Sequence, residues 1–63
     1  MDPDAAEISS LTTVISDAAA RIGKIAERRA EDPDDPLIGR LHEIERMLVT
    51  AERRLRSTAR DLA

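Results

Sequence analysis

The chain has no cysteine, no phenylalanine, no tryptophan and no tyrosine, and a single histidine. Without thiols there is no disulfide to staple a small fold, no cysteine nucleophile and no thiolate metal site. Without aromatic rings there is no platform on which unpaired bases stack, and none of the ring anchors that dominate ordinary cores and interface hot spots. No apolar run approaches 18 residues, and the amino terminus lacks a basic start followed by an apolar stretch. Neither a membrane span nor a secretory signal is therefore expected, and the expected location is the cytoplasm. The two glycines do not form a phosphate-binding loop, and no serine has a base placed beside it at a catalytic spacing.

Sixty-three residues allow one domain at most. A compact globule of 7.0 kDa buries roughly 6,000 Å² relative to the extended chain, about 3,500 Å² of it apolar, contributing on the order of 90 kcal/mol. Ordering the chain costs about 1.5 kcal/mol per residue, again roughly 90 kcal/mol. The margin is close to zero, and an elongated fold buries less than a globule. Self-association or a partner is the physical expectation.

Two Asp-Pro steps, Asp2-Pro3 and Asp35-Pro36, each offer a capping carboxylate followed by a residue pre-set for the first helical turn. Between them, Asp32-Pro33-Asp34-Asp35-Pro36 interrupts any helix, because a residue before proline is pushed out of the α region and proline donates no hydrogen bond. One helix is predicted over 3–31, a turn over 32–35 and a second helix over 36–62.

Within the first segment Ile8, Leu11, Ile15, Ala18, Ile22 and Ile25 follow one another at alternating steps of three and four. In the second, Leu37, Leu41, Ile44, Leu48, Ala51, Leu55, Thr58 and Leu62 do the same. This is the a/d seam of a coiled coil. Folding the chain at the turn brings Ile22 opposite Ile44, Ala18 opposite Leu48 and Leu11 opposite Leu55. Each core alanine then meets a large aliphatic residue. The fold class expected is all-α, an antiparallel two-helix coiled-coil hairpin dimerising into a four-helix bundle.

Two surfaces are left as candidates for that dimer. Beside the seam of the first helix runs a line of small residues, Ala5, Ser9, Thr12, Ser16, Ala19, Gly23, Ala26 and Ala30. Glycine costs about 1 kcal/mol relative to alanine inside a helix, so Gly23 in that line suggests close packing of another helix; drift toward alanine on a solvent face is the alternative. On the opposite flank Val14 and Met47 sit among charges, with Arg28 near Arg40 and Glu7 near Asp61. A second hairpin laid alongside in reverse brings the basic turn end of one copy to the acidic open end of the other. The candidate oligomer interface is accordingly Val14, Met47, Ala19, Gly23, Ala26 and Ile38.

Arg46, Arg53 and Arg60 stand one heptad apart on the second helix. Such a line can contact phosphates or an acidic partner; interleaved Glu43, Glu45 and Glu52 suggest instead a solvated face laced with ion pairs, Glu52 to Arg56 among them. His42 and Glu45 are spaced as half of a metal site, but His42 falls at an outward position, so no metal and no cofactor is expected. Arg29, at a core position near the turn, is expected to lay its stem on Leu37 and reach Asp32 or Asp34.

The stretch from Ile22 to Leu48 carries an acidic turn, Glu31-Asp32-Pro33-Asp34-Asp35, followed by Leu37-Ile38-Gly39-Arg40-Leu41. It resembles the dimerising helical hairpin in the carboxy-terminal docking segments of modular polyketide synthases, over under half of the chain. Those segments also carry a later acidic docking helix without a counterpart in these residues. The resemblance implies a docking segment of a multi-enzyme assembly. The residues themselves point to a small non-catalytic interaction or oligomerisation module, a homodimer that scaffolds or regulates a larger protein partner. A nucleic-acid-associated regulator using the arginine line is the alternative.

Overall fold

Each Asp-Pro step starts a helix. In the computed structural model, which describes residues 2–62, α1 runs over Pro3–Arg29 and α2 over Leu37–Leu62, packed along one another as a hairpin. Asp2 takes extended backbone angles and its Oδ1 accepts the Asp4 N–H at 2.9 Å, with Pro3 in the first turn. Asp35 plays the same part for α2, its Oδ1 accepting the Leu37 N–H at 2.8 Å. The chain is all-α, with no strand among the described residues.

Helix α1 stops two residues short of the predicted end. The Ala30 N–H is shared between the Ala26 and Glu27 carbonyls at 3.0 and 3.3 Å, which tightens the last turn. Successive turns then run from Arg29 to Asp32 and from Asp32 to Asp35. Pro33 and Pro36 hold Asp32 and Asp35 away from helical geometry, so the reversal takes residues 30–36 rather than 32–35.

The line of α1 most deeply covered by α2 is made of small residues. Ala5, Thr12, Ala19 and Ala26, seven apart, are the buried positions of the helix, with Ala26 only 1% exposed. They alternate with half-buried Ile8, Ile15 and Ile22 at steps of three and four. On α2 the half-buried residues include Ile38, Leu41, Glu45, Leu48, Glu52 and Leu55, ending in buried Ala59. The expected seam is therefore turned by one heptad line: Leu11 and Ile44, assigned to the hairpin core, are exposed, as is Leu62 at the open end. Ala18, Ile25, Leu37 and Ala51 lie at the border, half-buried.

The reason is close approach. Alanine and threonine let two helix backbones come together along their whole length, gaining many small dispersion contacts, whereas isoleucine and leucine in the same places hold the axes apart. Thr12 does not forfeit its polar group in this seam, because its hydroxyl donates to the Ile8 carbonyl at 2.9 Å.

The outcome is a rod of 49 × 13 × 10 Å in which, among the described residues, no large side chain is fully buried. It exposes 4909 Å². A compact globule of the same mass exposes about 4,000 Å².

Substituting Ala26 by leucine is expected to cost about 1 to 3 kcal/mol by forcing the helices apart. Ala20→Leu, on the exposed side of the same helix, is expected to stay within about 0.5 kcal/mol. Urea unfolding of the two variants checks this, and equal losses contradict the alanine seam.

Candidate functional site

Turning the seam onto small residues leaves larger ones without cover. Leu11 and Val14 on α1 are 47% and 62% exposed, Ile44 and Met47 on α2 43% and 64%. All four fall on one side of the hairpin. On the other side, Thr12, Thr13, Ser16 and Ala59 gather around Arg56, and Gly23 lies beneath Glu45. The heptad lines holding Leu11, Val14, Ile44 and Met47 run along the opposite edges of both helices. Half-buried Ala18, Ile25, Leu37 and Ala51 lie at the base of this flank.

The two candidate dimer surfaces thus separate. Val14 and Met47 are free, whereas Ala19 and Ala26 are buried against α2 of the same chain. Ala19 and Ala26 pack on the chain's own second helix, while Ser9 and Ser16 of the same line stay exposed. Gly23 has a specific neighbour: a Cβ added there lies 2.6 Å from Glu45 Oε2, the end of a flexible side chain. Ile38 is half-buried beside the turn.

The flank opposite the apolar one is mostly polar, with Val49, 39% exposed, on the line between His42 and Arg56. Glu45 sits 3.5 Å from His42 Nδ1, and Glu52, its side chain 13% exposed, pairs with Arg56 one turn on as expected from the spacing. Toward the open end this side forms a shallow groove of about 420 Å³ lined by Ser9, Thr12, Thr13, Arg56 and Arg60. Among the described residues no group of three His, Cys, Asp or Glu is gathered as a metal site requires.

Arg46, Arg53 and Arg60 are exposed on the outer side of α2. Of the glutamates expected to lace this face, Glu52 pairs with Arg56 as expected and Glu45 lies beside His42. None of the three arginines enters a salt bridge among the described residues.

At the turn, Arg29 reaches Asp35 rather than Asp32 or Asp34, with Nη1 donating to Oδ2 at 2.9 Å. Asp32 is used instead within the turn, accepting the Asp34 N–H at 3.0 Å. The Asp35 carboxylate therefore does two things at once, capping α2 and clasping the end of α1. The Leu37 N–H foremost, and then Arg29, hold its pKa below the ordinary 3.8.

No protein-family model, no curated protein and no solved structure matches the chain, and the resemblance to polyketide synthase docking segments has no counterpart there. What the chain does is a question for its surfaces.

The small-residue line is a pattern of the sequence itself. Its alternation with Ile8, Ile15 and Ile22 was the signal that it forms part of the hairpin contact and not a spare face.

Because the folded pKa of Asp35 is depressed, its carboxylate contributes stability that is complete above pH 3.8 and is lost as the pH falls through the lower folded value. Asp35→Ala is expected to melt below the wild type at neutral pH, with the gap closing on acidification through that range. Thermal melts by circular dichroism at stepped pH check it; a gap independent of pH contradicts the clasp.

Proposed function

We propose that the chain is a small, non-catalytic protein–protein interaction and oligomerisation module: a helical hairpin that dimerises into a four-helix bundle and so scaffolds or regulates a larger partner. The observation that carries this reading is the apolar flank. Leu11, Val14, Ile44 and Met47 are exposed on one flank, while the most deeply covered positions of the hairpin contact are alanines and Thr12. Large aliphatic side chains arranged in this way mark an association surface, since each contributes roughly 1.5 to 3 kcal/mol only when it is taken out of water.

The surface area supports it as well. The rod exposes roughly 900 Å² more than a compact globule of its mass, and a standard protein interface buries about 800 Å² per partner.

Sedimentation across a concentration series, with circular dichroism in parallel, tests the reading. The expected result is a dimer at micromolar concentration. Val14→Glu with Met47→Glu is expected to weaken it by more than about a hundredfold while a helical chain persists. A fully helical wild-type monomer at micromolar concentration overturns the proposal.

One observation favours a second reading, a nucleic-acid-associated regulator. Arg46, Arg53 and Arg60 carry no partner among the described residues and are spaced about 10.5 Å apart along the helix. If each neutralises one duplex phosphate, the logarithm of DNA affinity falls against the logarithm of salt concentration with a slope of about −2.7. Absence of salt-dependent binding removes this reading and leaves the first.

A further inference from the structure

We infer that the occupant of the apolar flank is a second copy of this chain laid antiparallel, by a two-fold axis across the middle of the rod, so that the turn of each copy lies over the open end of the other. The inference rests on the flank being the association surface. It adds the direction in which the second copy lies.

The charges along the flank's outer lines decide the direction. Glu7, Val14, Arg21 and Arg28 follow one another at seven-residue intervals on α1, and Arg40, Met47, Arg54 and Asp61 do so on α2. All eight are exposed. Within one hairpin Arg28 and Arg40 both stand beside the turn, and Glu7 and Asp61 both stand at the open end. On these two lines, beside the acidic residues of the turn itself, like charges therefore face one another, arginines near the turn and carboxylates near the open end. None of the four enters a salt bridge among the described residues.

Two hairpins stacked on this flank have two symmetric choices. With the turns at the same end, α1 lies on the partner's α2, and Arg28 faces the second copy's Arg40 while Glu7 faces its Asp61. Both charge pairs are then repulsive. With the turns at opposite ends, α1 lies on the second copy's α1 and α2 on its α2. Glu7 then meets Arg28 and Asp61 meets Arg40, and the two-fold axis repeats each pair. The central apolar residues fit the same arrangement. Val14 comes beside the second copy's Arg21 and Met47 beside its Arg54, long side chains whose stems cover apolar surface while their charged heads reach the rim. Arg21 has an acidic neighbour at that rim, since its Nη1 lies 4.0 Å from Asp17.

The arrangement has a consequence for what the module does. Pro3 and Leu62 of one copy emerge at the opposite end of the bundle from those of the other, so the dimer holds two attachment points apart across a rod of 49 Å. An antiparallel pair is thus a spacer, where a parallel pair is a clamp.

The chain has no cysteine, so one nitroxide can be placed at the exposed turn by Asp34→Cys and the distance between copies read by pulsed electron spin resonance. The antiparallel pair gives about 50 Å, and the parallel pair a distance under about 25 Å. Sedimentation of the same labelled sample separates the two ways of failing. A monomer overturns the association reading itself, while a dimer with the short distance overturns only the antiparallel direction. Charge reversal supplies a second readout. Glu7→Arg with Asp61→Arg is expected to weaken the dimer about tenfold, and adding Arg28→Glu with Arg40→Glu to restore it. A dimer unmoved by the first pair of changes overturns the inference, since the parallel pair exchanges one repulsion for another.

Discussion

The close approach of two helix backbones along Ala5, Thr12, Ala19 and Ala26 is the constraint on which the other features depend. A contact built from small side chains can be tight only if nothing larger intrudes, so the bulky residues of both helices must turn aside. Ile8, Ile15 and Ile22 pack half-buried between the small residues, while Leu11, Val14, Ile44 and Met47 turn toward one flank. That is why among the described residues no large side chain is fully buried, and why Leu11, Val14, Ile44 and Met47 remain in water. The same close approach limits what the hairpin can gain alone. Alanine removes little apolar area from solvent, and with no disulfide or aromatic core the balance between burial and chain ordering leaves a narrow margin.

Electrostatics act at the ends of this seam. Asp2 and Asp35 satisfy orphan amides at the starts of their helices, and Asp35 doubles as the acceptor for Arg29, joining the end of α1 to the beginning of α2. The turn is fixed by one carboxylate with two partners and by the two prolines that keep its neighbours out of helical geometry. Farther out, the like charges that face one another on the outer lines of the flank, Arg28 with Arg40 and Glu7 with Asp61, are a cost to an isolated hairpin. In water and salt that cost is modest. In the dimer we propose, it sets the preference between two otherwise equivalent ways of stacking.

Much of the fold was legible in the residues. Asp-Pro at two places, an acidic proline-flanked interruption and a three-four apolar rhythm lead directly to two helices reversed at the turn. What the rhythm does not supply is its own phase. Ile8, Ile15 and Ile22 belong equally to a seam completed by Leu11, Ala18 and Ile25 and to one completed by Ala5, Thr12, Ala19 and Ala26. Weighing candidates by transfer free energy favours the larger side chains, and so places Leu11 inside. The fold favours the smaller, because backbone proximity over more than twenty residues of each helix outweighs the area of any one leucine. Glu45 and Glu52 were unreadable as part of the contact for a related reason: their carboxylates lie at its edge, over positions left open by Gly23 and its small neighbours, with Glu52 answered by Arg56.

The most direct test is which methyl groups are shielded from solvent. A soluble paramagnetic agent added to the chain, at a concentration where it sediments as a monomer, broadens exposed methyl resonances and spares covered ones. The alanine seam requires the methyls of Ala19 and Ala26 to be spared while those of Leu11, Val14 and Ile44 are broadened. The reverse pattern, with Leu11 and Ile44 shielded and the two alanines broadened, contradicts it.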